Sequence, residues 1–180
     1  MPVLSPDMVR VTGKSWPSVR VAAATRVAAA PLPTPDAEHW RYSRIDELDL
    51  QSFAPAESAS TVTGGDESVV ITRVGPSAES SASLGEGLFP TDIDDIELFA
   101  ALNIAHMDVV HVSVPANKVV AGPVVITHRL SGNGYAFFPR VIVEAGRNSE
   151  ITIVERFVSA DEDRILVVPV LDVQIGRAHV

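Results

Sequence analysis

The 180-residue chain contains no cysteine. That excludes disulfides, thiolate nucleophiles, Cys-ligated zinc and direct Cys ligation of an iron–sulfur cluster, and it fits a cytoplasmic protein. Basic residues are scarce: 14 Lys and Arg stand against 23 Asp and Glu, a formal net charge of −9. So acidic a chain lacks the positive surface that nucleic-acid backbones and anionic membrane faces require, so neither partner is expected. No apolar run approaches the roughly 20 residues of a membrane-spanning helix. Val19–Ala30 has the composition of a signal h-region, but Arg20 and Arg26 interrupt it and it reads as a surface helix. Residues 1–30 carry four basic residues and one acid, Asp7, which leaves an organelle-targeting reading open.

Catalytic motifs are missing too. There is no Gly-x-Ser-x-Gly elbow and no P-loop; Gly13-Lys14-Ser15 lacks the upstream glycine and strand that a phosphate cradle needs. Asp92, Asp94 and Asp95 sit at a predicted helix start, where dipole pairing accounts for them. The chain is therefore read as a non-enzyme, with no catalytic, cofactor-binding or metal residue assigned.

What is present divides into four stretches. Residues 1–50 read as a helical region. Ser18 caps an Ala-rich helix that Pro31, Pro33 and Pro35 end, and Thr34 with Pro35 starts a second element docked by Trp40, Ile45 and Leu48. Residues 51–107 read as a loop-rich linker with one strand, Ser68–Val74, and one helix. Gln51–Ser68 and Pro76–Gly87 are its loops, and the helix runs Thr91–Asn103 with Ile93, Ile96, Phe99 and Leu102 on one stripe.

Residues 108–173 alternate apolar and polar in short segments cut by Gly, Pro and Asn. Val110–Val114, Val124–Leu130, Arg140–Glu144, Ile151–Phe157 and Ile165–Val173 each read as strands, with Pro169 marking a bend in the last. Strand centres recur too closely for crossover helices. That spacing allows an antiparallel sandwich or barrel, or a parallel solenoid; the lack of a strict repeat motif favours the sandwich. Residues 174–180 break the alternation. Ile175-Gly-Arg-Ala-His-Val180 matches a reading frame of a sequencing-library adapter, so this tail is expected to be non-native.

His111 and His128 fall on successive predicted strands, with Glu144 and Glu155 on the next ones. Such a set could form a cupin-like metal site on a β-barrel, although no His-x-His is present. Surface or partner-facing histidines are the default reading for all five: His39, His106, His111, His128 and His179.

An ordered set of motifs adds a family. Glu38-His-Trp-Arg-Tyr-Ser-Arg-Ile-Asp-Glu-Leu-Asp-Leu50 resembles a segment near the start of SufD proteins, of the SufB/SufD family. Phe99-Ala-Ala-Leu-Asn-Ile-Ala105 with Asp108 is similar to the helix before that family's β-core. Val114-Pro115, Gly122-Pro-Val-Val-Ile-Thr-His128, Pro139-Arg-Val-Ile-Val-Glu-Ala-Gly146 and Ser149-Glu-Ile-Thr-Ile-Val-Glu155 follow in the core's order. The resemblance spans about residues 30–173. It implies a right-handed parallel β-helix and a non-catalytic scaffold subunit of the SUF iron–sulfur cluster assembly complex. The implied partners are a SufB-like paralogue and a SufC-like ATPase. The full complex would handle the iron–sulfur cluster transiently, and no cofactor is expected on this fragment. The cupin-like metalloprotein is the alternative function, and the antiparallel β-sandwich the alternative fold. Asp108-Val109 stands where the family has Asp-Gly. The family's C-terminal half has no counterpart in the chain, so no functional residue is carried over.

Overall fold

The computed structural model describes residues 14–76, 78, 84, 85, 88, 89 and 97–176, His39 by its backbone only. Among these residues the fold is mainly β, with two α-helices and three open sheets. Helix α1 (Pro17–Ala29) starts one residue before the expected Ser18 cap. Pro17, with its φ already fixed, takes the first turn, and Trp16 precedes it with φ 50°. Helix α2 (Leu98–His106) continues three residues beyond Asn103, which is buried inside it. The expected caps Thr91 and Asp92, and the stripe residues Ile93 and Ile96, lie outside the described residues. Ala23 on α1 packs against Ile104 and Ala105 on α2.

The second expected N-terminal helix is replaced by three 3₁₀ turns, Glu38–Trp40, Ile45–Glu47 and Leu50–Ser52. Local side chains compete with a longer helix. Ser43 Oγ donates to the Trp40 carbonyl at 2.7 Å, and Asp49 accepts from Gln51 N at 2.9 Å and Ser52 Oγ at 2.6 Å. Trp40 does dock, its ring 5.4 Å from Phe99.

The predicted linker over 51–68 instead forms β1 (Ala54–Ala56) and β2 (Ala59–Gly64), followed by β3 (Val70–Val74). Beyond α2 come β4 (Asp108–Val114), β5 (Val124–Arg129), β6 (Tyr135–Phe137), β7 (Pro139–Ala145), β8 (Ile153–Val158), β9 (Ile165–Val167) and β10 (Val170–Ile175). Pro169 splits the predicted last strand into β9 and β10. Gln174 and Ile175, read as the start of a non-native tail, pair with Glu144 and Ala145 as part of β10.

The sheets are ordered β3-β4-β7-β10, β2-β5-β8 and β1-β6-β9. The chain visits them in rotation: β4, β5 and β6 make one circuit, β7, β8 and β9 the next, and β10 opens a third. Every pairing between circuits is parallel. Asp108 lies against Pro139, Val124 against Ile153, Tyr135 against Ile165 and Val170 against Arg140, separations of 31, 29, 30 and 30 residues. An antiparallel sandwich does not describe these sheets. The turn between the first and second sheets repeats as well. Asn117 and Asn148 both take positive φ, and Asn148 Nδ2 donates to Asn117 Oδ1 at 3.2 Å.

The preceding strands run differently. β1 pairs parallel with β6; the chain then reverses at Glu57–Ser58, so β2 and β3 run antiparallel to β5 and β4. Gly64 makes the corner after β2 with φ 80°, where a Cβ would stand 2.1 Å from the Pro123 carbonyl oxygen. Between the first two sheets lies a core of Val110, Val112, Val124, Ile126, Val141 and Val143. A second core, with Leu50, Phe53, Leu102 and Phe138, joins α2 and the 3₁₀ turns to the third sheet.

Candidate functional site

Strand alternation decides which way each histidine faces. Val110, Val112, Val124 and Ile126 fill the core between the first two sheets. His128, in phase with Ile126, therefore points inward, and His111, out of phase with Val110, points outward. The two do not converge. Each instead meets the glutamate on the next strand. His111 Nε2 lies 2.6 Å from Glu144 Oε2, and His128 Nε2 lies 3.0 Å from Glu155 Oε1. Among the described residues, no group of three or more His, Asp or Glu side chains is placed to hold a metal ion.

Nor are the described histidines on the surface. His106, His111 and His128 are all buried. Among the described residues neither ring nitrogen of His106 has a hydrogen-bond partner, and burial followed by the Arg20 charge pushes its pKa down to about 4. His179 and the His39 side chain lie outside the described residues.

The richest polar arrangement is a chain of side chains where β1 turns into β2. Ser58 donates its backbone N–H at 2.7 Å and its hydroxyl at 2.9 Å to Asp108 Oδ2 at the start of β4. Its Oγ is 3.1 Å from Ser60 Oγ, which in turn lies 2.8 Å from His128 Nδ1. Register explains the last contact: Ser60 is directly opposite His128 in the antiparallel β2–β5 pair. Phe157, opposite His128 on β8, stacks on the imidazole at 5.2 Å. Two residues earlier on the same face is Glu155.

The proton on His128 follows from its partners. A carboxylate only accepts, so Nε2 carries a hydrogen to Glu155; in the neutral imidazole Nδ1 is then the acceptor for the Ser60 hydroxyl. Ser58, Ser60 and Asp108 line an open cavity of about 640 Å³ with Arg73 and Val74 of β3. Arg73 spans from β3 to donate to the Ser60 carbonyl at 2.7 Å.

Asp108 connects this chain to the helices. Burial pushes its carboxyl up to about 6 against the lowering effect of the Ser58 hydrogen bonds; Glu57 adds to the rise and Arg20 opposes it. Arg20 is fully buried, not on a helix surface. It donates to the Ser15 carbonyl at 2.8 Å, to Ser15 Oγ at 3.1 Å, and to the carbonyls of Ala105 at 3.0 Å and Met107 at 2.8 Å. It thereby satisfies carbonyls at the end of α2, at the cost of a guanidinium pKa lowered to about 10 by burial. Asn103 ties α2 to the strands, donating to the Val168 carbonyl at 2.7 Å and accepting from Arg140 Nη1 at 3.1 Å.

Of this constellation, the sequence singled out His128 and Glu155 on successive strands. Ser58, Ser60 and Arg73 carried no signal, because their convergence depends on the reversed pairing of β2 and β3. No helix among the described residues is long and apolar enough to cross a membrane. Comparison with known proteins finds no matching family model, no matching curated protein and no matching solved structure.

Proposed function

We propose that this chain is the opening part of a SufD-like scaffold subunit, a non-catalytic member of a SUF-type iron–sulfur cluster assembly complex. In this reading the three sheets are the first turns of a right-handed parallel β-helix. A SufB-like paralogue and a SufC-like ATPase are the partners, the compartment is the cytoplasm, and the cluster belongs to the whole complex. The observation that carries it is the parallel register of about 30 residues between successive circuits, in a segment whose motifs follow the family's order. Stacked circuits of this kind suit a scaffold, since each buries its apolar face only against its neighbours and presents a long lateral surface.

Sequencing the source locus past Asp172 tests the proposal. The expected result is a frame that continues with further strands at the same spacing into a helical C-terminal part, beside a gene for a P-loop ATPase. Co-expression of that full product with the neighbouring genes should then yield one co-purifying complex. A frame that stops at Val180 with no ATPase nearby, or a full product that binds neither partner, would overturn it.

A further inference from the structure

We propose that Ser60 is a nucleophilic hydroxyl, with His128 as its general base and Glu155 holding the imidazole, and that the cavity in front of it admits small uncharged esters. Three observations converge. The hydroxyl, imidazole and carboxylate form an unbroken row, with spacings of 2.8 Å and 3.0 Å, within the reach a nucleophile, its base and the orienting group require. The imidazole is fully buried and stacked on Phe157, so its ring cannot swing away, while Ser60 is only half-buried and opens on the cavity. Arg73 donates to the Ser60 carbonyl and lines the same cavity, which brings a cation to the cavity where carbonyl attack would develop negative charge. Val110, with Ile71 opposite the inward-facing Val112, gives the otherwise polar cavity its apolar side, where a short acyl chain would rest.

The chemistry balances without an added cofactor. Ser60 Oγ bonds to the ester carbonyl carbon as its proton moves to His128 Nδ1. The bond to the leaving alcohol breaks, and that proton leaves with the alkoxide. Water then attacks the acyl group, Nδ1 takes a proton from it, and Ser60 Oγ recovers that proton as the carboxylic acid departs. Glu155 stays ionised and acts through His128, so it is a positioning residue. Asp108 and Ser58 hold the β1–β2 turn that presents Ser60.

The full chain should hydrolyse p-nitrophenyl acetate above background and take up a fluorophosphonate probe, with peptide mapping placing the adduct on Ser60. Ser60→Ala should remove both signals while circular dichroism shows the strands retained. Glu155→Gln should lower kcat about tenfold with KM unchanged. Ser60→Cys supplies a second readout in a chain with no other cysteine: its thiol should be alkylated by iodoacetamide at least tenfold faster than free cysteine, and slower again once His128→Gln is added. Folded protein with no adduct on Ser60, or a Ser60→Cys thiol no faster than free cysteine, would show that the row is only a satisfied buried histidine and overturn the proposal. Ester hydrolysis at Ser60 would be an activity apart from cluster assembly, in which the chain is non-catalytic, so either reading can fail with the other intact.

Discussion

At one end of the stacked circuits, β1, β2 and β3 lie along β6, β5 and β4, so the first circuit's strands have hydrogen-bonded neighbours on both sides. Trp16, Leu84 and Phe89 close over Val74, Val109 and Ile142. At the other end, β8, β9 and β10 are the last strands of their sheets. Phe157, Leu171, Val173 and Ile175 on them are exposed. The same inward-facing row runs through both ends: Val112 pairs with Val143, and Val143 with Val173. Exposure along it is 0%, 2% and 52%. One residue type at one site in three successive circuits thus passes from core to surface, which shows that burial here is a property of having a neighbour above and below. A strand edge of this kind is where apolar sequence and unpaired backbone groups coincide. The first end avoids that exposure by turning the chain back on itself at Ser58.

The largest effect that would break this contrast lies at the closed end. Arg20→Met should destabilise the fold by at least about 3 kcal/mol in urea unfolding, because it strips the partners from buried carbonyls of Ser15, Ala105 and Met107. A loss within ~0.5 kcal/mol would mean that α1 contributes little to that end. Next in size is the valine row itself. Val112→Ala and Val143→Ala should each cost about 2 kcal/mol, from lost apolar burial and a small cavity. Val173→Ala should cost less than about 0.5 kcal/mol. Equal losses at all three sites, in the same denaturant titration, would mean that the open end is covered in solution.

The subtlest effect is in pH, where two buried groups at the closed end oppose each other. His106 titrates at about 4 instead of 6.5, so between those values the unfolded chain takes a proton the folded one refuses, and stability rises with pH. Asp108 titrates at about 6 instead of 3.8, so the folded chain keeps a proton the unfolded one has released, and stability falls with pH across nearly the same window. Each contribution is on the order of 3 kcal/mol, and the near-cancellation should leave the native protein almost flat between pH 4 and 6. Asp108→Asn should unmask a rise over that window, and His106→Phe a fall. Native protein with a steeper slope than either variant would contradict this pairing.

Much of the strand content could be read directly. The five strand segments after residue 108 appear within a few residues of their predicted positions, because alternation along a half-buried strand is a local property of the chain. The repeat was not legible. Val112, Val143 and Val173 occupy equivalent sites, but Val124 answers to Ile153 and His128 to Phe157. An inward site asks only for a side chain that fits the layer above it, so no fixed motif marks the period. Gln51–Ser68, rich in Ser, Ala and Thr, has weak intrinsic preference for any element; β1 and β2 exist because β6 and β5 offer edges to pair with. The candidate site was half visible for the same reason. His128 and Glu155 sit on strands that alternation predicts, whereas Ser60 reaches them only through a reversal of the chain.

By itself the sequence determined the acidic, cysteine-free chemistry, the first helix ended by prolines, and which residues alternate along the later strands. These depend on side-chain type and on neighbours a few residues away. The tertiary structure alone decided that the strands pair in parallel about 30 residues apart, that the chain doubles back before them, and that His111 faces outward while His128 faces in. Those outcomes rest on hydrogen bonds and burial between segments distant along the chain, and no local window of residues contains the free energy that selects them.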